Sequence, residues 1–174
     1  MSQHRVAIIL LGYLLLTLSN RVYGQDSTNY QVRIPGQIVI RALDPAIVEA
    51  HPGTNDDVVM ADQRWFALST SRSGATVRFS TDHAFHNLSN AAYKRDARIQ
   101  ITRIQGTRSA RWGFDAPIDQ TNYAAGDEVA TVQVSSRGPG LVYCWLDVTF
   151  LTDDFSTMAG GDYQLTVIGT IAEN

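Results

Sequence analysis

The sequence predicts an all-β protein, an antiparallel β-sandwich, on three observations. Past residue 24, apolar side chains recur at every second position in short runs, the spacing that lines them up on one face of a strand. Clusters of Gly, Pro, Asn and Ser separate these runs, and they are the residues that turns require. No apolar run keeps a helical period for more than two turns. Many short strands joined by turns bury their apolar faces best as two packed layers.

The chain opens on a leader. His4 and Arg5 make a basic start, Val6–Leu18 is an uncharged apolar run of 13 residues, and Ser19–Gly24 ends on a small residue. Those are the three zones of a secretory signal peptide. The run is shorter than the roughly 20 residues of a membrane-spanning helix. The expectation is cleavage after Gly24, with residues 25–174 as one exported β-sandwich domain; a retained anchor is the rival reading. No second apolar stretch of spanning length follows, so no membrane span is expected once the leader is gone.

The strands then come in order. Gln37–Leu43, Trp65–Thr70, Ala75–Asp82, Ala97–Ile104, Ser109–Asp115, Val129–Ser135, Leu141–Thr152 and Tyr163–Ala172 are rich in Val, Ile, Thr and aromatic residues, which suit a pleated, half-buried surface. Tyr30–Ile34 and Ala46–Ala50 carry the same pattern more weakly, and Ser89–Arg95 has the composition of a single helical turn. The longest segment, Leu141–Thr152, belongs at the centre of a sheet. Asp147 decides its orientation: Val142, Cys144, Leu146, Val148 and Phe150 turn inward, while Tyr143, Trp145 and Asp147 share the outward side.

Charge and cysteine usage narrow the function. The formal net charge is −3, and it becomes more acidic when Arg5 and Arg21 leave with the leader, which argues against a nucleic-acid partner. The distribution is uneven. Arg64 to Arg111 holds nine basic residues against Asp82 and Asp96, whereas Trp112 to Asn174 holds Arg137 against nine acids. Such a chain either neutralises itself across adjacent strands or shows opposite signs to different neighbours. Cys144 is the only cysteine, so no intrachain disulfide forms and the core alone holds the fold. Its place among apolar residues makes it a small buried hydrophobe.

The closing stretch Ala159-Gly160-Gly161-Asp162-Tyr163 followed by Gln164–Ile171 resembles the end of exported bacterial surface proteins of pilin-like or immunoglobulin-like type, where a small-Gly-x-Tyr turn launches a final alternating strand. It is also similar to the end of cell-wall β-domains named for their Trp-x-Leu motif. The cysteine pair of the pilins is missing, and Trp65-Phe66-Ala67-Leu68 has one residue too many for Trp-x-Leu. The resemblance implies a non-catalytic surface or fibre role and transfers no functional residue.

Each candidate site has a competing structural explanation. Asp56-Asp57, Asp127-Glu128 and Asp153-Asp154 could supply the two carboxylates of a glycosidase, yet each sits in or beside a turn that Asp itself stabilises. Asn55, Asp56, Asp57 and Asp62, or Asp153, Asp154 and Asp162, could supply oxygen ligands to calcium, without the spacing of a helix–loop–helix site. His51, His83 and His86 lack the helical pairing of a zinc site. No cofactor is expected, and whether a metal binds is left open. Asn87-Leu88-Ser89 is a glycosylation sequon, meaningful only in a eukaryotic secretory pathway.

The reading that emerges is a non-enzymatic structural or adhesive module, secreted to the extracellular space or cell surface, or held in a periplasm. Its contacts are with other surface proteins or with copies of itself, the Tyr30–Ile34 segment being suited to pair with a neighbour's open edge. A carbohydrate-binding module is the alternative: a sugar ring would stack on Tyr143 and Trp145 while Asp147 accepts from its hydroxyls. A secreted polysaccharide hydrolase is the third reading.

Overall fold

Alternating apolar residues fold this chain into three antiparallel sheets. The structure, a computed structural model, describes residues 29–174, so the leader read over residues 1–24 lies outside the described residues. Residues 35–174 make one compact unit. A five-stranded sheet has the order β1 (Ile38–Ala42), β2 (Val58–Ser69), β10 (Gly140–Phe150), β6 (Ala97–Gly106), β8 (Ile118–Gln120). A four-stranded sheet runs β12 (Val167–Glu173), β3 (Ala75–Thr81), β9 (Thr131–Ser135), β7 (Gly113–Ala116). A small third sheet holds β11 (Tyr163–Gln164), β4 (Phe85–Asn87) and β5 (Lys94–Arg95).

The two larger sheets face each other across one core. Val142, Cys144, Leu146, Val148 and Phe150 of β10 are all buried in it, with Ala67, Ile99 and Ile101 from neighbouring strands. Val77, Phe79, Val132 and Val134 approach from the four-stranded sheet. Trp65 joins the layers: its ring packs 5.1 Å from that of Phe79, and it lies so close to Gly169 that a Cβ there would come within 2.6 Å of the indole. Pairing with both β2 and β6 makes β10 the central strand, with the side chains turned as the alternation predicts.

Several expected elements take another form. Ala46–Ala50 forms no strand, and Tyr30–Ile34 forms none either, leaving Tyr30, Val32 and Ile34 exposed. Ser89–Arg95 is not a helical turn: Asn87 and Asn90 carbonyls accept Asn90 and Tyr93 N–H in two tight turns that lead into β5. Ser109–Asp115 splits into a 3-10 turn at Arg108–Ala110 and β7. The final segment breaks into β11 and β12 because Asp82 grips the chain at Thr166, accepting its N–H at 2.9 Å and donating its own N–H to its carbonyl. The chain thereby leaves the small sheet and joins β3.

The charge halves of the sequence seldom pair. Lys94–Glu128, at 2.5 Å, joins the basic middle to the acidic end, while Arg64 and Arg98 turn to Asp44 and Asp57 instead.

Candidate functional site

The outward side of β10 carries the residues that the alternation brings together, and the sheet adds others. Three rows cross it. Val39, Leu68 and Leu141 lie side by side; next come Arg41, Phe66, Tyr143 and Gln105; then Arg64, Trp145 and Arg103. Tyr143 is 37% exposed and its ring centroid lies 5.5 Å from that of Phe66. Trp145 is half-buried, and the Arg103 guanidinium sits 3.6 Å from its ring centroid, a cation–π contact. Arg64 is clamped by Asp44, whose carboxyl is held below its usual range by the side-chain and backbone hydrogen bonds from Arg64.

Two β-bulges build this face. In β2 the register against β10 shifts between Leu146 and Val148, opposite Ala61 and Asp62, and Asp62 takes a left-handed φ of 59°. In β6 it shifts between Trp145 and Leu146, where Thr102 is the extra residue. An added residue reverses the alternation. Ala97, Ile99 and Ile101 point inward, so Arg103 would follow them into the core; the bulge turns it out over Trp145 and brings Ile104 in. Asp147 belongs to the same construction, since its Oδ1 accepts the Asp62 N–H at 2.8 Å. The sequence groups Tyr143, Trp145 and Asp147 correctly on one side, but Asp147 holds a bulge and the ring face of Trp145 already carries Arg103.

The other polar clusters hold loops. The Gly53 N–H donates to His51 Nδ1 at 3.1 Å, so Nε2 carries the proton and donates to the Thr152 hydroxyl, which donates on to the Asp56 carbonyl. His51 therefore has no free nitrogen with which to activate Thr152. Asp57 accepts the Thr152 N–H, and Asp154 is held below the ordinary carboxylate range by the Ser156 hydroxyl and N–H. His83 and His86 pack edge to face, 4.2 Å apart, with Asp82 3.3 Å from His83. Among the described residues no group of three or more His, Cys, Asp or Glu is placed to hold a metal ion. Asn87 of the sequon is 2% exposed; it accepts the Ser89 N–H and donates to the Gly160 carbonyl, so its amide is a structural part of the small sheet.

Burial pushes the Cys144 thiol up to about 12. The thiolate is the reactive form. At pH 8 the folded protein should therefore react with a thiol reagent such as dithionitrobenzoate only on the timescale of opening, and stoichiometrically once guanidinium unfolds it. Immediate labelling of the native protein would contradict this burial.

No protein-family model matches the chain, and no curated protein matches it.

Proposed function

We propose that the protein is a non-enzymatic extracellular structural or adhesive module, a sandwich of immunoglobulin-like or pilin-like kind, that contacts other surface proteins through the outer face of its five-stranded sheet. One observation carries this reading: the crossing rows Val39–Leu68–Leu141, Arg41–Phe66–Tyr143 and Arg64–Trp145–Arg103 form a continuous apolar and aromatic strip edged by arginine. Tyr, Trp, Phe and Arg are the side chains that protein interfaces favour and that dominate their binding energy. The bulge in β6 supports the same reading, because it turns Arg103 onto this face instead of into the core.

A carbohydrate ligand is the second reading, favoured by the neighbouring rings of Tyr143 and Phe66. A sugar stacked on Trp145 would have to displace Arg103 from its ring.

One experiment separates the two. Beads coated with residues 25–174 are counted on cells of the producing organism, beside beads coated with Tyr143→Ser/Arg103→Glu. Adhesion should fall about tenfold or more in the variant, as loss of central interface residues does, with unchanged melting. Pretreating the cells with protease should abolish adhesion and periodate should leave it intact. The reverse sensitivity selects the carbohydrate reading, and equal adhesion by both proteins removes this face from consideration.

A further inference from the structure

The two ends of the sandwich carry opposite charge. Turns 70–74, 107–112 and 136–139 meet at one end, joined by the Arg137 N–H donating to the Ala110 carbonyl at 2.8 Å. They contribute Arg72, Arg108, Arg111 and Arg137 and no Asp or Glu. None of these four arginines has an ion-pair partner among the described residues. Glu173, last residue of β12, lies beside this end, opposite Ala75. Loops 51–57, 121–130 and 151–162 lie at the other end and contain no Lys or Arg. They bring Asp56, Asp57, Asp127, Asp153, Asp154, Asp162 and Glu128 there. From the neighbouring strands Lys94 pairs with Glu128, Arg98 pairs with Asp57, and Arg95 reaches Thr157 beside Asp154. That leaves Asp56, Asp127, Asp153 and Asp162 without a cation among the described residues.

Shape matches charge. A shallow pocket of about 160 Å³ opens at the arginine end, lined by Ile104, Gly106 and Trp112 and by Thr107, Arg108 and Arg111. That volume suits one ring, since a cavity of about 150 Å³ holds benzene. The acidic end presents such a ring. Phe155 is 37% exposed, stacked on His51 at 5.1 Å and fixed by its N–H donating to Asn55 Oδ1. Asp153 and Asp154 precede it directly, and Asp56 follows the asparagine that holds it.

We propose that copies of this protein join end to end, Phe155 of one copy seating in the Ile104–Trp112 pocket of the next while Asp56, Asp153 and Asp154 meet Arg108 and Arg111. The contact pairs two different surfaces, so it propagates into open chains unless the rotation closes a ring. It uses neither Tyr143 nor Arg103 and stands or falls separately from the outer-face reading.

Sedimentation velocity on residues 25–174 at high micromolar concentration provides the test. The wild type should form oligomers at low salt that dissociate as salt rises, since exposed charges are screened beyond about 8 Å at physiological ionic strength. Arg108→Glu/Arg111→Glu and Asp56→Arg/Asp153→Arg should each be monomeric alone, and an equimolar mixture of the two should assemble again, because each end then meets its opposite. Phe155→Ala should weaken assembly about tenfold or more, as loss of a central aromatic anchor does. Melting curves verify folding; if a charge-reversal variant is unfolded, the neutral change at the same end, Arg108→Gln/Arg111→Gln or Asp56→Asn/Asp153→Asn, replaces it and should also be monomeric. A wild type that stays monomeric at low salt, reversed variants that assemble as the wild type does, or a mixture that stays monomeric would each overturn the proposal. So would binding of a sulfated polysaccharide at the arginine end without self-association.

Discussion

Replacing Phe79 by Ala should lower the stability of the protein by about 3–5 kcal/mol, the range for large aromatic truncations in cores. Phe79 is fully buried at the middle of β3, between β12 and β9, and packs against Trp65 across the two sheets. The surroundings have little freedom to close the hole. Trp65 is already pressed against Gly169, and Val77, Val132 and Val134 are rigid at χ1. At about 2–4 °C per kcal/mol for a chain of this size, the melting midpoint should fall by about 10 °C. Ile168→Ala, on the outward side of the neighbouring strand and 49% exposed, is the control and should cost under about 1 kcal/mol. Comparable losses in both variants would mean that the inter-sheet core is not where the stability resides.

The core was readable because β10 keeps strict alternation and carries a charge on one side only. Val142 through Phe150 follow from Asp147 alone. The face opposite was readable in part. Tyr143 and Trp145 share a strand, so their spacing places them together, whereas Phe66, Arg41 and Arg103 reach the same face only through strand pairing. Bulges conceal pairing further. Val58 and Met60 point inward at even positions and Trp65 and Ala67 at odd ones, so the pattern of β2 breaks at Asp62 and the strand reads as starting at Trp65. The small third sheet escapes for another reason: strands of two or three residues are too short to show any period. Charge followed topology more than sequence position. Arg137 sits in the acidic half of the sequence yet belongs to the arginine end, because the β9–β10 turn folds back beside Ala110.

That same end holds the turn most sensitive to a single methyl group. Gly74→Ala should cost about 3 kcal/mol, and Gly126→Ala, the matched control, about 1–2 kcal/mol. Both glycines have positive φ, +90° and +82°, where an L side chain is unfavourable by about 1–2 kcal/mol. They differ in space. A Cβ at Gly126 meets nothing within 4 Å, whereas one at Gly74 would lie 2.1 Å from the Ser136 carbonyl oxygen. That backbone cannot step aside freely, because the Ser136 N–H donates to the Ala75 carbonyl, its hydroxyl accepts the Ala75 N–H, and its carbonyl accepts from Asn174 Nδ2. Relief of the clash breaks one or more of these buried bonds, each worth about 1 kcal/mol. Guanidinium unfolding of the two variants measures the difference directly. Equal destabilisation would show that conformation alone sets the cost, and that the turns at the arginine end are not locked together through Ser136.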